Sequence, residues 1–337
     1  MVFVTGATGI LGRVIALELL KRGKKVRASK RSESNLEEMK KSYSFYTETP
    51  DAFFNEIEWV DVDFDDINVL QYALEGVEEI YHCAAKVGFD PGDDKEMYQT
   101  NIEVTKKLLY AVENSTVKKF LHVSTIAVLD LFNEKEELDE DSEFNPKEEH
   151  SAYAISKHLA EMEVWRASAE GLNTVIINPG MILGSGGWGR SSGEIFPIFE
   201  KNRYTFSGGS AYVDVRDVAK TAVDLMEKNI FGERFIIISE GKRYAEIGKQ
   251  IRKKLGLKDP KILTKTQLNL GRLANTLFGW LIPKLRMITK SNIESVTSFN
   301  TISNQKIKEK LDYQFIPVEE SVDFHLNNYI NDKKQKK

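Results

Sequence analysis

Residues 2–12 read Val2-Phe3-Val4-Thr5-Gly6-Ala7-Thr8-Gly9-Ile10-Leu11-Gly12. A short apolar run ends in a glycine turn. The turn opens onto an amphipathic stretch, 10–22, with Leu11, Val14, Ile15 and Leu19 on one face. A strand, a glycine turn and a helix start, in that order, form a cradle for phosphate. Gly6 allows the tight turn, Gly9 removes a Cβ where a pyrophosphate must approach backbone, and Gly12 lets the helix pack closely on the strand. Amides at the helix start then face the phosphates, assisted by the helix dipole. The expected contacts are Gly6, Thr8, Gly9, Ile10, Leu11 and Gly12.

Outward from this turn, the pattern repeats. Apolar runs at 25–29, 57–63, 78–85, 119–125, 173–179 and 234–239 are separated mostly by helical patterns at 66–75, 94–114, 152–170 and 215–228. Such alternation implies a parallel sheet with helices on both faces and ligands at the carboxyl ends of the strands. After residue 240 helical segments dominate. Residues 180–210 are rich in glycine and aromatics and read as a long functional loop. The expected fold class is therefore α/β, a doubly wound parallel sheet with a smaller, mostly helical C-terminal substrate lobe. Residues 1–179 with about 211–239 should form the first domain, and about 180–210 with 240–330 the lobe. Residues 331–337 read as a frayed basic tail.

Composition narrows the function. The chain has 337 residues, 41% apolar and 29% charged, as expected of a globular protein. With 47 basic and 51 acidic residues, the net charge is −4, which argues against nucleic acid as a partner. One cysteine, Cys83, excludes an internal disulfide and suits a reducing compartment. Five scattered histidines with no His-x-x-x-His pair give a metal site no support. No signal peptide or spanning helix is read, so the expected location is cytoplasmic. Leu268–Ile288, an apolar stretch with basic flanks, reads as a helix over the substrate pocket or a dimer face rather than a membrane-surface helix.

The chemistry is carried by Ser151-Ala152-Tyr153-Ala154-Ile155-Ser156-Lys157. Tyr153 and Lys157, four apart on a helix, share a face. A free tyrosine titrates near ~10, too high for acid–base work at neutral pH, and a nearby ammonium lowers that value. The strand before this helix ends His122-Val123-Ser124-Thr125, which offers two hydroxyls to a substrate oxygen. His82 and Cys83 read as core residues.

Together, TGATGILG and Tyr-x-x-x-Lys resemble the short-chain dehydrogenase/reductase superfamily, in its extended branch, the NAD-dependent epimerase/dehydratase family. The closest resemblance is to the dihydroflavonol-4-reductase-like and 3β-hydroxysteroid dehydrogenase-like group. It runs from residue 2 to about 240. It implies a Rossmann-type sheet, a nicotinamide cofactor and Tyr153 as general acid/base, with Lys157 tuning it and binding the nicotinamide ribose. It also implies Thr125 as the catalytic hydroxyl, with Ser124 beside it; a slip of register would exchange the two. Asp63-Phe64 resembles the pair that contacts adenine, with Asp61, Asp65 and Asp66 as alternatives. Ala84-Ala85-Lys86 resembles the turn over the cofactor, and Asn101 the family's helix asparagine, structural or in a proton relay. Val123, Pro179 and Ile182 complete the cofactor contacts.

The second strand ends Val26-Arg27-Ala28-Ser29-Lys30-Arg31, without a carboxylate for the ribose hydroxyls of NAD. Arg31, alone or with Lys30, could clamp a 2′-phosphate, so NADP(H) is favoured over NAD(H). Sugar-nucleotide members usually carry Tyr-Gly where this chain has Leu129-Asp130, and Arg-Pro where it has Asn178-Pro179. A ketone or aldehyde reductase is therefore favoured over a nucleotide-sugar epimerase or dehydratase. With Tyr153, Lys157 and the hydroxyl all in place, a non-catalytic NADP-binding regulator ranks lower. A sugar nucleotide would need a cationic site in the lobe, for which Arg190, Lys201 and Arg203 could serve, or equally be solvated charges. Trp188, Phe196, Phe199, Tyr204, Phe206 and Tyr212 suggest instead an apolar or aromatic small-molecule substrate. Relatives are often dimers, so a homodimer is an expectation.

Overall fold

The structure, a computed structural model, describes residues 1–88, 91–189, 191–278 and 288–335. Residues 89–90, Arg190, the stretch 279–287 within Leu268–Ile288, and Lys336–Lys337 lie outside the described residues.

The strands are β1 (Val2–Thr5), β2 (Val26–Lys30), β3 (Glu58–Asp61), β4 (Glu79–His82), β5 (Lys119–Val123), β6 (Asn173–Pro179), β7 (Met181–Leu183), β8 (Tyr204–Phe206), β9 (Gly209–Asp214), β10 (Glu233–Ile237), β11 (Glu240–Arg243) and β12 (Lys261–Leu263). Seven of them form one sheet in the order β10–β6–β5–β4–β1–β2–β3, every neighbouring pair parallel. The chain reverses its direction of travel across the sheet between β1 and β4, and the glycine turn sits there.

Alternation along the strands builds two cores. Val4, Tyr81, Leu121 and Ile177 face the helices Ile10–Lys21 and Val215–Glu227. Phe3, Ile80, Phe120 and Ile176 face the helices Ile67–Ala73, Val104–Glu113 and Ala152–Ala169. A third core joins Leu183, Phe196, Phe199, Tyr212, Ile247 and Ile251 to Val318, Val322 and Leu326 of the long last helix. The lobe around it is largely helical but also carries two small sheets, β11–β9–β7 and β12–β8.

Two stretches depart from expectation. The helix Gln305–Leu311 sends Ile307 and Leu311, an i,i+4 pair, into the core under the main sheet, although the sequence places 240–330 in the lobe. Residues 331–335 are not frayed: they continue the helix Val318–Gln335. Asp332 there is buried, accepts from the Trp188 indole at 3.0 Å and pairs with Lys41 at 2.5 Å, which fixes the last turn. Among the described residues no helix is long and apolar enough to cross a membrane.

Candidate active site

The glycine turn has the shape its sequence demands. Gly6 has φ +66°, and a Cβ there would lie 2.7 Å from the backbone nitrogen of Ala84, at the end of β4. A Cβ on Gly12 would lie 2.3 Å from the Gly6 carbonyl oxygen. A Cβ on Gly9 would instead meet only that oxygen, at 3.2 Å, so this face of the turn is open. The turn is braced from within: Arg13 Nε donates to the Gly9 carbonyl at 3.0 Å and its Nη2 to the Thr8 carbonyl at 2.7 Å. Thr8 and Ile10 are half-buried, while Leu11 belongs to the core. An open, amide-lined concavity at a helix start suits a pyrophosphate. Ile182 packs at the border of the same core.

The surroundings of a dinucleotide are more mixed. Arg31 is exposed directly after β2, whereas Lys30 Nζ is bound to both oxygens of Asp61, at 2.6 Å each, across the β2–β3 register. Asp63 accepts from the Asp65 amide at 2.9 Å, Asp66 caps the following helix, and Phe64 packs on the second core. Ala84 and Ala85 follow β4, the first half-buried and the second exposed. The Lys86 ammonium is occupied by Asp93 and Glu96.

Asn101 lies in a single π-helical turn, Gln99–Glu103, and is fully occupied. Its carbonyl accepts from the Lys86 amide at 2.7 Å; its NH2 donates to the Lys86 carbonyl at 3.0 Å and to Ser156 Oγ at 2.9 Å. This side chain is a strut between the β4 turn and the Tyr153 helix.

Ser151 caps that helix by accepting from the Ala154 amide at 3.2 Å, which puts Tyr153 in the first turn. Burial pushes the Tyr153 phenol up to about 12, and a hydrogen bond with Thr125 pulls it back. Ser124 Oγ is buried without a hydrogen-bond partner, on the side of Glu161. Thus Thr125, at the end of β5 and capping the short turn Ile126–Val128, is the hydroxyl brought to Tyr153. Lys157 is 2% exposed, and burial lowers its ammonium to about 8 against the opposing charge of Glu161. Glu161, also buried, has its carboxyl raised by burial; it accepts from Asn178 Nδ2 at 2.7 Å and lies 3.6 Å from Arg234. Asn178 Nδ2 also donates to the Thr125 carbonyl at 3.0 Å, tying the ends of β5 and β6 together. Val123 is half-buried beside this pair, and Pro179 closes β6 against β10.

Beneath Tyr153 and Lys157 lies a polar row that sequence reading missed. Thr5, His82 and His122 occupy matched positions on β1, β4 and β5, one step beyond Phe3, Ile80 and Phe120. All three are buried. Cys83, expected in the core, is half-buried, with its thiol pushed up to about 12 by burial. Among the described residues no cluster of three or more His, Cys, Asp or Glu could hold a metal.

The aromatics of the 180–210 segment and its border serve the lobe more than a cleft. Phe196, Phe199 and Tyr212 are in its core, Trp188 packs on it, and Tyr204 is exposed. Phe206 meets Tyr244 edge-on.

Comparison with known proteins agrees with this geometry. The family model described as NAD dependent epimerase/dehydratase family matches residues 2–237. Sterol demethylase protein B of Methylococcus capsulatus is 29% identical over 271 residues, covering 80% of this chain and 78% of that protein. Dihydroflavonol 4-reductase of Callistephus chinensis is 28% identical over 193 residues, covering 54% and 52%. The structure of UDP-glucuronic acid 4-epimerase from Bacillus cereus in complex with NAD superposes with a TM-score of 0.71 at 18% identity, covering 97% of this chain and 95% of that one.

Proposed function

Because the chain belongs to the NAD dependent epimerase/dehydratase family, we propose that it is an oxidoreductase that reduces a ketone or aldehyde, or oxidises the matching secondary alcohol. The observation that carries this reading is the hydrogen bond of Tyr153 with Thr125, just past the carboxyl end of β5, with Lys157 one turn further along the Tyr153 helix. A nicotinamide cofactor bound at the turn would supply or accept the hydride. Tyr153 donates a proton to the carbonyl oxygen, or removes it from the alcohol. Thr125 hydrogen-bonds that oxygen and holds it in line with the phenol. Lys157, with donors to spare, would bind the nicotinamide ribose.

A reductase accords with Asn178 at the position where sugar-nucleotide members usually carry arginine: here the amide is committed to Glu161 and the Thr125 carbonyl. The names of the sterol and flavonoid relatives accord with an apolar, ring-bearing substrate. The preference for NADP(H) over NAD(H) rests on Arg31, since Lys30 is neutralised by Asp61. A homodimer in the cytoplasm completes the proposal.

The test is a pair of measurements. Tryptophan-fluorescence titration with NADPH and NADH should show tighter NADPH binding. Arg31→Asp should weaken NADPH by about 10- to 100-fold, as loss of a charge-assisted contact predicts, with little change for NADH. Depletion of NADPH at ~340 nm against aromatic and alicyclic ketones should then fall by about 100-fold or more in Tyr153→Phe, with NADPH affinity kept. Binding without depletion on any carbonyl would sink the reductase reading and turn attention to nucleotide sugars.

A further inference from the structure

The two histidines of the buried row are held in opposite ways. His82 is fixed at both nitrogens. Thr105 Oγ1 donates to the Asn101 carbonyl at 2.7 Å, so toward His82 Nε2, at 3.0 Å, it can only accept. Thr5 Oγ1 accepts from the Ala84 amide at 3.2 Å and gives its proton to His82 Nδ1 at 2.7 Å. His82 is therefore locked as the Nε2–H tautomer. Its ring lies 5.4 Å from that of His122, centroid to centroid.

His122 is tied at one nitrogen. Its Nε2 lies 3.3 Å from Lys157 Nζ, and its Nδ1 is buried with no hydrogen-bond partner. A buried polar atom without a partner calls for a reason. Here an unpaired Nδ1 leaves the tautomer undecided, and an amine next to Nε2 asks for a different one in each of its charge states. An ammonium needs an acceptor at Nε2; a neutral amine, with its lone pair directed there, needs a donor.

We propose that His122 is a positioning residue for Lys157, exchanging tautomer so that it hydrogen-bonds the amine in both the charged and the neutral form. The proton sits on Nδ1 when Lys157 is an ammonium and on Nε2 when Lys157 is neutral. Lys157 Nζ then keeps its place below the ribose site whichever charge it carries. The surroundings fit this division. Of the titratable groups facing the pair, His82 is driven down to about 3 and Cys83 up to about 12, so neither changes charge near neutrality. Tyr153 is held up to about 12, and Glu161, backed by Arg234, supplies the opposing carboxylate. His122 itself is driven well below its usual range by burial and by the Lys157 charge, so it remains neutral.

The direct experiment needs no turnover. In the full chain labelled with 15N-histidine, long-range 1H–15N spectra report the tautomer of each of the five histidines. The His122 signals are those lost in His122→Asn. Across about pH 6 to 10, His82 should stay Nε2–H, while His122 passes from Nδ1–H to Nε2–H as Lys157 loses its proton. In Glu161→Gln the exchange should survive and move to lower pH, because the ammonium loses its opposing charge. A His122 tautomer fixed throughout, a protonated His122, or an exchange abolished in Glu161→Gln would each overturn the proposal.

The inference also rests on the reductase reading where it concerns rate. There, His122→Phe should lower kcat by about 10- to 100-fold, and His122→Asn, which can turn either a donor or an acceptor to Lys157, should restore most of it. Wild-type kcat in His122→Phe would overturn the positioning role. Failure of the reductase reading alone would show as absent turnover with the tautomer exchange intact.

Discussion

Lys157, the lysine of the proposed mechanism, works against the fold. Burial lowers its folded-state pKa from 10.5 to about 8, so the charged form is the one the folded state disfavours. Below about pH 8 the group is protonated folded and unfolded alike, and the whole penalty is present. Between about 8 and 10.5 the unfolded chain binds the extra proton, so stability rises with pH and the penalty is relieved. Lys157→Met should therefore be more stable than the parent at pH 7, by at most about 3 kcal/mol, with the gap narrowing above pH 8. Urea unfolding at pH 7 and 10 checks this; a gap that widens with pH would refute it. Turnover should be lost in the same variant. At this scale the motif residues could be singled out because their spacing is distinctive. His122, His82 and Glu161 were not, since a lone polar residue in an apolar run looks like core. A signal did exist: Phe3-x-Thr5, Ile80-x-His82, Phe120-x-His122 and Ile176-x-Asn178 each turn from apolar to polar at one step.

The element that organises the site is the turn between β1 and the helix Ile10–Lys21. Its glycines separate shape from binding, and two substitutions should show it. Gly12→Ala places a methyl 2.3 Å from a backbone oxygen that has nowhere to go, so it should unfold or misfold the protein. Gly9→Ala meets one atom at 3.2 Å and otherwise open space, so the fold should survive with only a small loss in melting temperature. NADPH affinity should nonetheless fall by about tenfold or more, because the methyl stands where the pyrophosphate must approach. Equal melting losses in the two variants would contradict this. The main-sheet strands and their large helices were readable from periodicity to within a few residues. The small lobe strands were not: β11 is Glu-Gly-Lys-Arg, with no apolar residue, and is a strand only because β9 offers it a partner. The π turn at Asn101 was likewise invisible, since one extra residue in a helical turn barely disturbs a 3.6-residue pattern.

Over the whole molecule, the last helix is a fastening. His325 is completely buried: its Nδ1 accepts from Ser185 at 2.7 Å, and its Nε2 donates to Asp214 at 3.1 Å. Ser185 is bound in turn, through its backbone, by the Tyr46 hydroxyl at 2.7 Å. Arg216 grips the same Asp214 with two bonds, at 2.8 and 2.7 Å, while its guanidinium lies 3.9 Å from the Phe324 ring. One histidine thus joins the C-terminal helix, the lobe and the segment after β2. His325→Leu should take one hydrogen bond from each of Ser185 and Asp214, which keep Asn328 and Arg216 as partners, and reduce stability by about 1–3 kcal/mol, read as a lower urea midpoint with an unchanged slope. No sequence pattern announces this join, because its members are 46, 185, 214 and 325, brought together only by the finished fold. The helix Gln305–Leu311 carries the same logic into synthesis. Its Ile307 and Leu311 complete the core that begins with Val2 and Val4, and β10 supplies the sheet's outermost strand only at residues 233–237. The glycine turn is therefore made long before two of the side chains that close the core beneath it. Until residues 305–311 are made, that core lacks two of its apolar side chains, and the partly synthesised chain leaves the surface they cover open to water.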